Sequence, residues 1–205
     1  MIGMRDKICI TLSGKTGSGK SMTSNFLRNN FGFVEYSFGE PLRNFMNLAL
    51  PNIDYHRDLR AREMIIKLGQ LPKEISPRCW SFVLTEKIAN DSYPSRIIIP
   101  DLRFRIELQH LLEIMPNPDF GGGYDVVPIL LISDYDRHKS EEISKLNESD
   151  RELYERIEND PSNTEHENFT YDFVIHNTDS LAKWYDHLMS VIESLGITTG
   201  RMYKC

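Results

Sequence analysis

Cysteine is scarce in this chain: there are three, Cys9, Cys79 and Cys205, among 205 residues. Their spacing matches no metal-ligand pattern and an odd number cannot all pair, which argues against a zinc module or a disulfide framework. Cys9 falls in an apolar run and reads as a small core residue. Long hydrophobic runs are also missing. No stretch approaches the ~18–20 apolar residues that cross a bilayer. The run from Ile8 to Leu12 is too short for a secretory leader and passes directly into a glycine-rich loop. Positive charge is not in excess either, since 24 Lys and Arg stand against 30 Asp and Glu, a formal net charge of −6. A nonspecific nucleic-acid binder usually carries a basic face, so this balance argues against one. Internal repeats and low-complexity tracts are absent. The resulting expectation is a protein of the reducing cytoplasm, with no membrane and no nucleic acid as partner.

What is present describes an ordinary globular domain. Hydrophobic residues make up 40% and charged residues 26% of the sequence, and the length fits one domain with a substantial core. Apolar strand signals fall at 7–13, 33–38, 96–101, 126–132 and 171–175. Helical signals fall at 19–30, from Glu40 onward, at 60–70 and 77–90 (separated by Gly69 and Pro72), at 104–115, near 139–159 and at 179–195. Strands alternating with helices predict a parallel sheet covered on both faces. The expected fold class is α/β, a three-layer α/β/α nucleotide-binding domain.

Immediately after the first strand comes Ser13-Gly14-Lys15-Thr16-Gly17-Ser18-Gly19-Lys20-Ser21. Gly14, Gly19, Lys20 and Ser21 occupy the fixed places of G-x-x-x-x-G-K-[ST]. Glycines let the chain curl so that successive backbone N–H groups face one concavity, and the following helix adds the positive end of its dipole there. Lys20 then reaches the terminal phosphates, and the Ser21 hydroxyl can ligate Mg²⁺. The expectation is that residues Gly14, Lys15, Thr16, Gly17, Ser18, Gly19, Lys20 and Ser21 bind ATP.

A second acid bears on the same chemistry. Asp101 ends the buried run Arg96-Ile97-Ile98-Ile99-Pro100, and in a parallel sheet ligands gather at the carboxyl ends of strands. Asp101 is therefore expected beside the phosphate loop, holding Mg²⁺ through water or accepting a proton; its other reading is a helix N-cap. Of Arg103 and Arg105 in the same corner, one is expected to clamp a substrate phosphate and the other to be a surface charge.

Five stretches together resemble the deoxynucleoside monophosphate kinases of bacteriophages, a branch of the P-loop nucleotide kinases. They are Leu12 to Ser21, Ser37-Phe38-Gly39-Glu40-Pro41-Leu42-Arg43, Leu68-Gly69 through Trp80, Ile98-Ile99-Pro100-Asp101-Leu102-Arg103, and Phe173-Val174-Ile175-His176-Asn177-Thr178-Asp179-Ser180-Leu181. They span almost the whole chain in the family's order. The resemblance implies transfer of the γ-phosphoryl group of ATP, with Mg²⁺, to a deoxynucleoside monophosphate. It places the acceptor region at 38–95 and a helical lid at 134–168 within a single domain, 1–205. Lys20, Asp101, Arg103 and Arg137 would be catalytic. Phe38, Pro41, Leu42, Arg43, Arg62, Arg78 and Trp80 would bind the acceptor, with Asn177 and Thr178 near the adenine. Core packing for Trp80 and a solvated face for Arg62 are the competing readings. Lys139, Arg151 and Arg156 are further lid cations, the last two equally readable as exposed helix charges. Where the family carries His-x-[Ser/Thr]-Glu, this chain has Thr164-Glu165-His166-Glu167, so only Glu167 is matched. The base preference and homodimer formation stay open. Two other functions fit the loop: a P-loop kinase for dephospho-coenzyme A, phosphomevalonate or a sugar acid, and a regulatory ATPase.

Overall fold

A computed structural model describes residues 7–54, 58–133, 143, 146–177 and 180–198. Its central layer is a parallel five-stranded sheet: β1 Ile8–Ser13, β2 Val34–Glu35, β3 Arg96–Ile99, β4 Asp125–Ser133 and β5 Phe173–Asn177, in the spatial order β2-β3-β1-β4-β5. The middle strand β1 pairs on one side with β3, Ile8 opposite Arg96, and on the other with β4, Ile8 opposite Asp125. Every residue of β1 is buried, as expected of a strand covered on both faces.

Side-chain alternation along β1 divides the interior into two cores. Ile8, Ile10 and Leu12 face a cluster completed by Leu27 and Phe31 of α1 (Lys20–Phe31) and by Trp184, Leu188 and Ile192 of α8 (Leu181–Ser194). Cys9 faces the opposite cluster, with Ile97 and Ile99 of β3, Leu84 and Ile88 of α4 (Cys79–Asn90), and Leu108 and Leu111 of α5 (Arg105–Ile114). Complete burial pushes the Cys9 thiol pKa up, so it remains a protonated core residue.

Two predicted elements take a different form. The strand expected at 33–38 pairs only at Val34 and Glu35. After the Tyr36 N–H reaches the Ile98 carbonyl at 3.0 Å, the chain leaves the ladder because Asp101 captures the next N–H groups, those of Phe38 and Gly39. The helices expected at 60–70 and 77–90 do not break at Gly69 and Pro72. Instead α3 runs unbroken over Leu59–Ile75. Pro72 lies inside it, forfeiting the bond its own N–H would make and crowding the Leu68 carbonyl one turn earlier. Asp58 starts the helix firmly, its side chain accepting from the Arg60 and Ala61 N–H groups at 3.0 Å each.

Beyond α2 (Glu40–Ala49) and these helices, the segment between β4 and β5 contains α6 (Glu148–Glu158), the single turn α7 (Pro161–Thr164) and a 3₁₀ turn at Glu165–Asn168. Asn147 caps α6 by accepting from the Asp150 N–H at 2.8 Å. The helix lies against α3, joined by Arg62–Glu158 at 3.1 Å and Arg156–Glu63 at 3.6 Å. Among the described residues no helix is long and apolar enough to cross a membrane.

Candidate active site

The turn between β1 and α1 has the backbone that its glycines predict. Gly14 has φ +139°, and a Cβ there would collide with the Leu131 carbonyl oxygen of the neighbouring strand. Gly19 has φ +101°, and a Cβ there would sit 2.9 Å from the Asn177 amide nitrogen. Both positions therefore need glycine for conformation, and position 14 needs it for space as well. Lys20 folds back over the loop, donating to the Gly14 carbonyl at 2.6 Å and the Lys15 carbonyl at 2.7 Å. Burial, and then the Arg103 charge, lower its pKa to about 8 against the opposing pull of Asp101. The Lys15 ammonium meets Glu167 at 3.3 Å, which ties the loop to the 3₁₀ turn. Ser18 is buried, and its carbonyl accepts from the Asn177 amide at 3.3 Å. Asn177 thus supports the loop from behind. Thr178 lies outside the described residues.

A cavity of about 550 Å³ opens from this loop. Thr16, Gly17, Gly19, Lys20 and Ser21 line it, as do Asp101 and the cations Arg43, Arg62 and Arg103. Phe38, Leu42, Ile65, Ile66, Trp80 and Phe104 supply its apolar wall. Asp101 lies just past β3, at the carboxyl edge of the sheet. Its Oδ1 accepts from the Phe38 N–H at 3.0 Å and its Oδ2 from the Gly39 N–H at 2.9 Å. The Ser37 hydroxyl also donates to Oδ2, and Arg43 lies 3.7 Å away while donating to Ser37 at 2.5 Å. Asp101 therefore fixes the corner that carries Phe38 and Arg43 into the cavity. It does not cap α5, whose Phe104 N–H is taken by Glu107 at 3.1 Å.

The two arginines of this corner diverge. Arg103 lines the cavity, its guanidinium within 3.4 Å of the Ser162 carbonyl and the Asn163 side chain. Arg105 turns outward and donates to the Asn168 carbonyl at 2.7 Å. Arg62 lines the cavity while paired with Glu158. Arg78 does not reach it, because its guanidinium makes two bonds to Glu113, at 2.5 and 3.1 Å. Pro41 is the second residue of α2 and is not part of the cavity wall. The Trp80 indole N–H donates to the Gly69 carbonyl at 2.7 Å, holding the ring as a wall. Arg151 and Arg156 face other partners, the Leu146 carbonyl and Glu63. Arg137 and Lys139 lie outside the described residues.

Sequence reasoning missed Ile65, Ile66, Gln70 and Lys73 on α3, together with Glu107, Ser162 and Asn163. The α3 residues recur at helical spacing from Arg62 to Lys73, a signal lost once the helix is broken at Gly69. Lys73 lies 3.3 Å from buried Glu107, and burial shifts both toward their neutral forms, lowering the lysine and raising the carboxylate.

A magnesium ion would find two oxygen donors here, since the Ser21 hydroxyl and the Asp101 carboxylate line the same cavity. Among the described residues there is no cluster of three or more His, Cys, Asp or Glu that could hold a metal. That donor set fits an ion carried chiefly by phosphates, because Mg²⁺ retains several waters and takes few protein ligands.

No family model and no curated protein sequence matches the chain. Among solved structures, a proposed kinase from Chloroflexus aurantiacus aligns with a TM-score of 0.54 at 14% identity, covering 96% of this chain and 100% of that one. A sugar kinase from a Janibacter species aligns with a TM-score of 0.49 at 16% identity, covering 94% of this chain and 96% of that one. The dephospho-CoA kinase of Campylobacter jejuni aligns at 0.46 and 14%, covering 91% and 96%. The first likeness bears on the fold, and with the strand order and loop above it shows a three-layer α/β/α P-loop domain.

Proposed function

We propose that this chain is an ATP-dependent kinase that phosphorylates a deoxynucleoside monophosphate to the diphosphate. The observation that carries the reading is the cavity's lining, which brings the phosphate loop, three arginines and a set of apolar side chains around one space. A nucleoside monophosphate has the matching parts, an anionic phosphate joined through a sugar to an aromatic base. Arg43, Arg62 and Arg103 suit the anionic part, since guanidinium offers oxyanions a planar fork of donors. Trp80, Phe38 and Leu42 suit the base.

Lys20 and the loop N–H groups would hold the β- and γ-phosphates. An acceptor phosphate oxygen attacks the γ-phosphorus in line. The bond from that phosphorus to the β–γ bridging oxygen breaks, and ADP departs with the electron pair. Ser21, and Asp101 through water, would help the phosphates hold a Mg²⁺, which when bound supplies charge neutralisation for the transferring group. The protein supplies position and electrostatics, and no side-chain nucleophile is required. Asp101 orients the 37–43 corner, and because it lines the same cavity as the loop it would be the group to take a proton.

A lid within 134–168 would exclude water, the competing acceptor, and its Arg137 would stabilise the transferring phosphoryl. The test is ADP release from Mg·ATP with dAMP, dGMP, dCMP and dTMP in turn. Turnover that depends on one or more of these is expected. ATP binding with silence across all four would exclude the proposal and turn attention to dephospho-coenzyme A, phosphomevalonate or sugar acids. ATP consumption without any acceptor would instead indicate a regulatory ATPase.

A further inference from the structure

Arg103 is gripped at both ends. Its main-chain N–H donates to Glu107 Oε2 at 3.1 Å. Its guanidinium reaches α7, where Nη1 donates to the Ser162 carbonyl and to Asn163 Oδ1, each at 3.4 Å. Arg103, Ser162 and Asn163 all line the cavity. Three other cations of that lining are held by carboxylates: Arg43 lies 3.7 Å from Asp101, Arg62 3.1 Å from Glu158 and Lys73 3.3 Å from Glu107. The two oxygens that hold the Arg103 guanidinium are uncharged. A carboxylate partner would cancel much of the positive charge, whereas a neutral oxygen orients the group and leaves its charge to act on an anion. That charge is felt at the phosphate loop, where after burial it is the next cause of the lowered Lys20 pKa.

The Asn163 side chain has a fixed orientation. Its Nδ2 donates at 2.6 Å to the carbonyl of Ile157, in the last turn of α6. A carbonyl only accepts and a guanidinium only donates, so the two partners together leave Oδ1 as the atom that meets Arg103. The turn beneath is braced as well. The Asn163 N–H donates to the Asp160 carbonyl at 2.8 Å. The Asp160 carboxylate accepts from the Ser162 N–H at 2.9 Å and from Gln70 Nε2, on α3, at 3.0 Å. The amide that holds Arg103 is thus tied to both α6 and α3. Ser162 contributes only its main chain to the grip, and Asn163 contributes the side chain.

We propose that Asn163 is the positioning residue of Arg103, a neutral acceptor that holds the guanidinium at the cavity wall for the transferring phosphoryl group without cancelling its charge. The inference rests on the kinase reading above. Asn163 acts through Arg103 and makes no contact of its own with the reacting atoms. Its loss frees a long, rotamer-rich side chain, which must then be ordered in each turnover. Its replacement by an acid keeps the size of the side chain and supplies Arg103 with a competing anion.

The test is a double-mutant cycle on initial rates with Mg·ATP and whichever of dAMP, dGMP, dCMP and dTMP is turned over. Arg103→Ala should lower kcat about a hundredfold, and Asn163→Ala about tenfold, the cost of one hydrogen bond to a charged group. The KM for ATP should stay unchanged in Asn163→Ala. In the Arg103→Ala background the same Asn163→Ala change should cost less than about twofold, because the group it positions is gone. Asn163→Asp should be slower than Asn163→Ala and approach Arg103→Ala. Additive losses in the double variant overturn the inference, since they are what a merely structural disturbance of α7 would give. So does an Asn163→Asp variant faster than Asn163→Ala. The same cycle read by titration calorimetry with tripolyphosphate needs no acceptor, and there too Asn163→Ala should weaken binding only while Arg103 is present. Wild-type silence with every monophosphate overturns the kinase reading, and the tripolyphosphate cycle then decides the role of Asn163 by itself.

Discussion

The two ends of the cavity are built on opposite principles. At the phosphate end one contiguous turn of nine residues supplies the backbone donors, and the neighbours enforce its shape. The Leu131 carbonyl allows no side chain at position 14, and the Asn177 amide presses on position 19. At the proposed acceptor end no two adjacent segments suffice. Leu42 and Arg43 come from α2, Arg62 to Lys73 from α3, Trp80 from α4, Asp101 to Glu107 from the corner after β3, and Ser162 and Asn163 from α7. On the proposed reading the first end relies on the main chain and would recognise what triphosphates share. The second relies on side chains held by one another, and can therefore differ between proteins that share the loop.

Substitutions at the two ends should separate accordingly. The largest effect is expected from Lys20→Ala, which should lower phosphoryl transfer by about a thousandfold for every acceptor. Its thermal midpoint should not fall, because the ammonium bonds only groups of its own loop, the Gly14 and Lys15 carbonyls and the Ser18 hydroxyl. A folded variant that kept its turnover would remove the loop from the chemistry. Asp101→Asn should lower turnover by about a hundredfold, as loss of one preorganised electrostatic group does, with ATP affinity within about threefold. Equal loss of both, read by titration calorimetry alongside kinetics, would reduce Asp101 to a brace for the 37–43 corner.

A paired comparison at the acceptor end probes the finest distinction. Arg62→Ala should raise the KM for the acceptor about tenfold, the cost of one charge-assisted hydrogen bond, and leave the KM for ATP unchanged. Arg78→Ala should alter neither by more than about twofold, since an exposed pair such as Arg78–Glu113 contributes little. Reversal of that order would mean that the acceptor enters by a different face of α4.

The same contrast explains what the sequence could disclose. The loop was legible because its chemistry is local: the glycines, the lysine and the serine are consecutive and sit between a strand and a helix. The sheet was legible for a related reason, since fully buried strands read as apolar runs such as Arg96–Ile99. Arg103 could not be told from Arg105, because the difference is which way each leaves a corner. Arg78 looked equivalent to Arg62 until Glu113, on another helix, was seen to hold it. Gln70 and Lys73 were hidden by a local signal that tertiary packing overrides: Gly69 and Pro72 argue for a break, and α3 continues through both.

The pairing of the central strand has a consequence during synthesis. Ile8 meets Arg96 and Asp125, residues that leave the ribosome long after it. At a translation rate of roughly 5–20 residues per second, β1 waits on the order of 4–18 s before either neighbour exists. For that time its apolar groups and both rows of its backbone donors and acceptors have no lasting partner in the chain. The nascent protein is therefore most exposed to aggregation at the strand that becomes its most protected, and a chaperone would find its first target in Ile8–Ser13.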